Sequence, residues 1–341
     1  MDSTKNSTTS KVMKETKKTI RVDFERTSLW ERIKLKYLST NFIMTLLWKI
    51  LRLMLLIGIS YIILFPFFTK ITSSFMSGDD FVDATVKLIP KYPTLDTYKA
   101  IIKDNGFFTA LINSTLLSLV CAIFQTLICS MIGYGFAKYK FKGSRILFML
   151  VMLTMIIPPR TIQFSMFMNF RYFDLFGLFN ILGIGKVDMI NTYWPLIILS
   201  LTGLGFKNGL YIFMMRQYFK GIPPELEESA YLDGYGPFKT FVKIIIPLSV
   251  PMMVTIFLFS FSWQWTDNFY TKLFFTTVGP KLMPSIISVP KTLDTSLAPT
   301  MFSAAVNNAC AMLIIVPLII IYLFCQRFLV QGIERSGIGG Q

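Results

Sequence analysis

The sequence predicts an all-α fold: a polytopic membrane protein with six transmembrane helices, kinked in places, and one short cytoplasmic helix between the fourth and fifth. Three observations carry this. Apolar residues make up 53% of the 341, where a large soluble domain would interleave charges at helical or strand period. Apolar runs at 53–68, 111–136, 146–157, 193–206, 244–261 and 302–324 approach the roughly 20 residues that cross a bilayer. Between Ala110 and Ala137 no residue carries a charge. Six spans leave no length for a second large domain. The chain therefore reads as one transmembrane domain over 46–330, with an extension at 1–45 and a tail at 331–341.

The extension comes first. Residues 1–26 are polar and rich in Ser, Thr and Lys, a composition that favours disorder. Ser28 and Glu31 have capping-box spacing, and Leu29, Trp30, Ile33 and Tyr37 fall on one helical face among basic residues. This describes either a helix lying on the inner membrane surface or a plain cytoplasmic extension. A cleavable signal is not expected, because the first apolar run comes late and no A-x-A site follows it. The net charge of +15 excludes little by itself. Its basic residues crowd ahead of the first span, from Lys5 to Lys49, as cytoplasmic flanks do. That reading displaces nucleic-acid binding.

With the N-terminus inside, the connections alternate. The loop at 73–107 mixes Asp79, Asp80, Asp83, Asp96 and Asp104 with Lys87, Lys91, Lys99 and Lys103, and reads as outside. The next connection holds only basic residues, Lys138, Lys140, Lys142 and Arg145, and reads as inside. The 160–191 and 267–299 stretches then fall outside, and 216–243 and the tail fall inside. Pro158 and Pro159 end the third span, Pro195 opens the fourth, Pro247 and Pro251 lie near the start of the fifth, and Pro317 lies within the sixth. Broken helices are tolerated where they face protein or a water-filled cavity.

The 225–251 stretch, ELEESAYLDGYGPFKTFVKIIIPLSVP from Glu225, has the punctuation of helix, turn, helix. Pro223 and Pro224 can start a helix. Glu225, Glu227 and Glu228 fall in its first turns, where the helix dipole favours negative charge. Gly234 supplies a left-handed stop, and Gly236 and Pro237 reset the direction before a second helix. A short acidic helix across the mouth of a membrane bundle is a handle for a soluble partner.

Catalytic constellations are missing. The nearest approach to a phosphate-binding loop is GIGKV at 183–187, with Asn180 in place of the first glycine and Val187 in place of Ser/Thr. The chain has no His, and neither H-E-x-x-H nor G-x-S-x-G occurs. Cys121, Cys129, Cys310 and Cys325 sit in apolar segments without metal-ligand spacing and read as small hydrophobes. No carboxylate–lysine pair marks the centre of a span, so proton-coupled transport has weak support. Trp263, Gln264, Trp265 and Asn268, at the end of the fifth span, could stack on a sugar and hydrogen-bond its hydroxyls. An interfacial aromatic belt or helix packing explains them as well. Asn113, Ser114, Asn307 and Asn308 are expected to bond between helices.

Glu228-Ser229-Ala230, three residues, Gly234, nine residues, then Ile244-Ile245-Ile246-Pro247 resembles the cytoplasmic EAA loop of ABC importer permeases, here within 222–247. Ser229 stands for an alanine and Ile246 for a leucine. Gly133-Tyr134-Gly135-Phe136-Ala137-Lys138-Tyr139, Asn191-Thr192-Tyr193-Trp194, Trp265-Thr266-Asp267-Asn268 and Gln326-Arg327-Phe328 are similar to stretches of the carbohydrate branch. The likeness, from about residue 107 to the C-terminus, is greatest to the smaller membrane subunit of the maltose-type importer. The resemblance implies a permease subunit with no catalytic residue of its own. Its expected partners are a second permease chain, two ATPase subunits that bind ATP and Mg, and an extracellular solute-binding protein. It also implies that the short helix couples to an ATPase through Glu227, Glu228, Ser229, Ala230, Asp233, Gly234 and Pro247. The expected place is the bacterial inner membrane, with both termini cytoplasmic. The solute is expected to be a sugar or oligosaccharide; an importer for another solute such as a polyamine is the alternative.

Overall fold

Apolar side chains around the whole circumference of a helix need lipid or protein on every side, and this governs the architecture. The computed structural model describes residues 30, 40–205, 207–276, 279–293 and 299–338. The expected surface helix at 29–37 therefore lies outside the described residues, apart from Trp30. The chain divides into two compact units, residues 1–67 and 68–341. The first holds most of α1 (Thr40–Ser73), whose apolar side chains are exposed around the helix, as lipid contact requires.

The second unit is a helical bundle, and no strand occurs among its described residues beyond a single bridge between Phe173 and Val187. Short helices α2 (Gly78–Val82) and α3 (Asp96–Asp104) lead into α4 (Phe107–Lys138). Then come α5 (Ser144–Ile156), a 3₁₀ turn at Pro159–Ile162, α6 (Gln163–Arg171), α7 (Leu178–Ile181), α8 (Trp194–Leu201) and α9 (Asn208–Lys220). After α10 (Glu225–Leu232), α11 (Pro237–Thr240) runs through a π-helical segment, Phe241–Ile245, into α12 (Ile246–Thr266). The chain ends with α13 (Phe269–Phe274), a 3₁₀ turn at Met283–Ile286 and α14 (Pro299–Ile338), so the helix continues into the segment expected to be a tail.

Four helical stretches are long and apolar enough to cross a membrane: Phe42–Ser73, Phe107–Lys138, Pro237–Thr266 and Phe302–Phe328. They contain the predicted first, second, fifth and sixth runs. The third run ends at Pro158–Pro159, as expected, and the chain bends there by 97° into α6; the two halves together make a fifth candidate. The fourth run differs more. It is helical for only 8 residues in α8, breaks at 202–207, and resumes as the 13-residue α9. Gly203 and Lys207 take positive φ at that break.

α4 is the axis. α8, α9 and α12 all pack on it, and α14 packs on α12. Gln125 Nε2 donates to Ser200 Oγ at 3.2 Å, and Ser260 Oγ donates to Gln125 Oε1, so one buried amide ties α4 to α8 and α12. Of the residues expected to bond between helices, Asn308 does so. Its Nδ2 donates to Ser73 Oγ at 2.8 Å. Asn113 and Ser114 instead hold the 281–283 loop, through Lys281 O at 3.0 Å and Met283 N at 2.7 Å. Cys121, Cys129 and Cys310 are buried and unpaired.

Pro247 accounts for the π-helical segment. Its missing N–H and its ring forbid the usual bond to the carbonyl four residues back; the preceding Ile246 N bonds to Phe241 O instead, five back. Insertions of this kind are a recognised way to absorb a break.

At Gly133, α4 approaches α9 so closely that an added Cβ would lie 2.6 Å from Met215 Cβ and 3.1 Å from Arg216 N. Two residues on, at Gly135, it would meet nothing within 4 Å. Gly133→Val is expected to cost about 1–3 kcal/mol by overpacking and to lower the melting temperature of the purified protein. Gly135→Val leaves it unchanged or slightly raised, because valine is the better helix former. Equal melting temperatures for the two variants would contradict the close α4–α9 contact.

Candidate functional site

α10 is built by local rules. Pro224 is its N-cap, one position earlier than an N1 proline, and its carbonyl accepts from Glu227 N and Glu228 N, both at 3.0 Å. At the far end Tyr235 N bonds to Ala230 O at 2.9 Å and Gly234 N to Tyr231 O at 3.1 Å. This pair of bonds is a Schellman closure, and Gly234 has the positive φ it requires, +77°. The helix that begins at Pro237 continues without a break to Thr266, so the turn leads directly into a membrane span.

Two of the helix's eight residues are buried, Glu227 and Ala230. Three positions apart, they share a face. Glu227 is 8% exposed. Its Oε1 lies 2.8 Å from Lys138 Nζ, with side chains 10% and 14% exposed respectively. Its Oε2 accepts from Tyr134 Oη at 3.2 Å. Lys138 also donates to Ile222 O at 2.8 Å. The contact between Glu227 Oε1 and Lys138 is a close approach of charges, while the aligned hydrogen bonds run to Tyr134 and Ile222. Leaving one member of such a buried pair alone costs about 3–5 kcal/mol. Burial raises the Tyr231 phenol above its ordinary value, and Tyr139 and Glu227 add to the effect, so this ring stays neutral beside the pair.

The other side of the helix is open. Glu225, Leu226, Glu228, Ser229, Leu232 and Asp233 are exposed, Leu232 by 89% and nearby Phe238 by 72%. This departs from one sequence expectation. Glu227 and Ala230 are buried against the chain itself, so neither is free to face an ATPase. Ser229 turns its Oγ back to Glu225 O at 2.8 Å. Pro247 is exposed and acts through the backbone. Lys138 and Tyr134 were missed as site residues. A lysine on the last turn of a span needs a carboxylate once buried, and on its side of the bundle the acidic cluster of 225–228 supplies one.

The residues expected to line a solute route do not converge, since successive helical residues point 100° apart. Trp265 is 1% exposed, its indole N–H donates to Ile314 O at 3.0 Å, and it stacks on Phe261. It joins α12 to α14, the packing role. Trp263 is exposed, with Lys207 Nζ 4.8 Å above its ring, and Gln264 is half-buried. Asn268 is exposed and lines a cavity of about 570 Å³ with Arg160, Phe164, Phe167, Phe269 and Lys272. Asp267, beside it, caps α13 by accepting from Thr271 N at 2.8 Å and from Phe269 N and Tyr270 N at 3.3 Å. Asn191 likewise serves the scaffold, accepting from Thr276 N at 2.7 Å.

Residues 129–335, more than half of the chain, match the family described as the binding-protein-dependent transport system inner membrane component. The chain belongs to that family. It is 29% identical over 285 residues to the arabinooligosaccharides transport system permease protein AraQ of Halalkalibacterium halodurans, covering 83% of this chain and 93% of that one. To the galactooligosaccharides transport system permease protein GanQ of Bacillus subtilis it is 29% identical, over 84% and 94%. To the trehalose transport system permease protein SugB of Mycobacterium tuberculosis it is 27% identical, over 74% and 85%. In fold it is similar to a chain of the crystal structure of a bacterial ABC transporter that imports the acidic polysaccharide alginate. That match has a TM-score of 0.64 and 21% identity, over 83% of this chain and 96% of that one.

Since a Cβ at Gly234 would meet nothing within 4 Å, the demand for glycine is one of backbone conformation alone. Gly234→Val should therefore loosen the turn by about 1–2 kcal/mol, whereas Gly234→Asn, which tolerates positive φ, costs less. Chymotrypsin cleavage at Tyr231 and Tyr235 in membrane vesicles is expected to accelerate for the valine variant and to stay near wild type for the asparagine variant. Equal acceleration would mean that side-chain volume, not φ, is restricted there.

Proposed function

We propose that this chain is one of two permease subunits of an ATP-binding-cassette importer, passing a sugar or oligosaccharide released by an extracellular binding protein across the bacterial inner membrane. Separate ATPase subunits bind ATP and Mg and supply the energy. The observation that carries this reading is α10 itself. One face is held to the bundle, and the other presents Glu228 with Leu226, Leu232 and Phe238. Apolar side chains rimmed by acid suit a groove on an ATPase with basic margins. The names of the relatives support a saccharide. So does the cavity at Asn268, whose lining includes two cations, Arg160 and Lys272, and no carboxylate. A polyamine, the alternative solute, would be repelled there.

We infer six crossings, with both termini cytoplasmic. α8 and α9, of 8 and 13 residues, reach about 12 and 20 Å at 1.5 Å per residue, which together match the roughly 30 Å hydrocarbon core. The contacts of Lys138 with Ile222 and Glu227 bring the 138–143 connection and α10 to one end of the bundle. Asn105 reaches Ile286 O and Ser288 O at 2.8 Å, and Asn191 reaches Thr276, which brings the remaining loops to the other end. In a chain whose four cysteines are replaced by Ser, single cysteines at Asp83 and Leu293 should react with an impermeant maleimide from outside. Those at Lys140 and Tyr235 should not. The reverse pattern would invert the topology.

The coupling reading is tested at Glu228, which is exposed on α10. Glu228→Lys should leave the chain in the membrane but lower co-purification of the ATPase and uptake of labelled oligosaccharide. Asp96→Lys, an exposed change on α3, should leave both intact. Wild-type recruitment and uptake by Glu228→Lys would remove α10 as the docking element.

A further inference from the structure

Two features of the bundle place unusual chemistry where the transport reading alone does not use it. One is the buried polar group at the α8–α9 break, where Asn208 has neither amide atom paired. The other joins α10 to the end of α4, and the geometry carries it furthest. Tyr231 of α10 lies beside Tyr134 and Tyr139, and the helix's only buried residues are Glu227 and Ala230. Of these, Ala230 offers a methyl group, while Glu227 reaches Lys138, the last residue of α4, and Tyr134 one turn earlier. Tyr134 in turn lies against Phe219 of α9, with ring centroids 5.6 Å apart, and against Phe241 of the π-helical segment, at 4.7 Å. Four elements therefore meet around one carboxylate. Lys138 is suited to this place for a second reason, since a cation on the last turn of α4 is favoured by the helix dipole.

We propose that the Glu227–Lys138–Tyr134 cluster is the joint through which a displacement of α10 is delivered to the end of α4, with Glu227 a positioning residue and not a contact for the ATPase. The proposal rests on the reading of α10 as the docking helix. An ion pair with one hydroxyl, one methyl and the Tyr231 phenol beside Tyr134 and Tyr139 is a small contact that can act as a pivot. It transmits a pull along α4 while letting α10 tilt, which a broad apolar interface would resist. Because α8, α9 and α12 all pack on α4, a pull at Lys138 reaches the whole bundle.

The test uses the full complex with its ATPase subunits, all native cysteines replaced, and a reporter cysteine at either Leu232 or Lys140. Maleimide labelling is timed with and without AMP-PNP and Mg. In the otherwise wild-type complex the nucleotide should change the rate at both positions, by about fivefold or more for a coupling of ordinary strength. Glu227→Gln or Lys138→Met should keep the response at Leu232→Cys and lose it at Lys140→Cys. Tyr134→Phe, which keeps the ring and removes only the hydroxyl, should weaken the second response by a smaller factor. The exchanged pair Glu227→Lys with Lys138→Glu should restore it, which separates a joint from general damage to the fold. The joint is overturned if the Lys140→Cys response survives Glu227→Gln, if the exchanged pair restores nothing, or if Glu227→Gln abolishes the Leu232→Cys response and so behaves as a docking residue. If the wild-type complex shows no response at Leu232→Cys, the docking reading of α10 falls and the joint with it; a response there with none at Lys140→Cys overturns the joint alone.

Discussion

Helices in lipid gain nothing from hiding apolar surface from one another, so their association rests on close packing and on hydrogen bonds across the contact. α4 satisfies both demands. Its buried positions include Ala110, Ser114, Ser118, Ala122, Ser130 and Gly133, small enough for α8, α9 and α12 to approach its backbone. Hydroxyls at Ser114, Thr126 and Ser130 are paired, Ser114 Oγ accepting from Met283 N at 2.7 Å. Thr126 and Ser130 return their protons to Ala122 O and Thr126 O, at 2.7 and 2.6 Å. Gln125 spends its amide on neighbours in two other helices. Bulkier residues along this face would hold the other spans away.

This arrangement explains which parts of the fold were legible in the sequence. Uninterrupted apolar runs became long helices, because nothing within them competes with the helical ladder. The fourth run ends at Phe206, where Lys207 and Asn208 interrupt the apolar sequence. Yet Tyr211, Ile212, Met215, Tyr218 and Phe219, all buried, repeat at helical spacing, a signal present in the sequence and passed over. Arg216 fits within this helix because its guanidinium lies 4.0 Å from the centre of the Phe148 ring and its Nε donates to Phe136 O at 3.4 Å. The Schellman closure at Gly234 was legible because it depends only on neighbours in the chain. The inward turn of Glu227 was not, because its partners Tyr134 and Lys138 are remote in sequence.

Two of the stretches that resemble the carbohydrate branch, at 191–194 and 265–268, are largely scaffold. Asn191, at positive φ, holds the end of α13. Asp267 caps the start of the same helix, and Trp265 joins α12 to α14. Such residues fix where the loops at that end of the bundle sit. A pattern can therefore mark a family of transporters while saying little about cargo. Side chains that do face open space there, Arg160, Phe164, Asn268 and Lys272, lie outside the motif apart from Asn268, and the saccharide reading proposed above rests partly on their character.

A buried ion pair is an expensive way to attach a helix. Removing two charges from water costs several kcal/mol per ion, and apolar residues of the same volume often hold as well or better. At α10 the expense has a mechanical rationale. An apolar contact is non-directional, so a helix seated on one can slide across alternative registers at small cost. A carboxylate bound to one ammonium and one phenol has a single low-energy position, and departure from it leaves charge unpaired. Tilting α10 about Glu227 keeps those bonds, whereas lifting it off breaks them. Such an attachment is soft in rotation and stiff in translation, the combination that the lever proposed for α10 would need in order to pivot without coming loose.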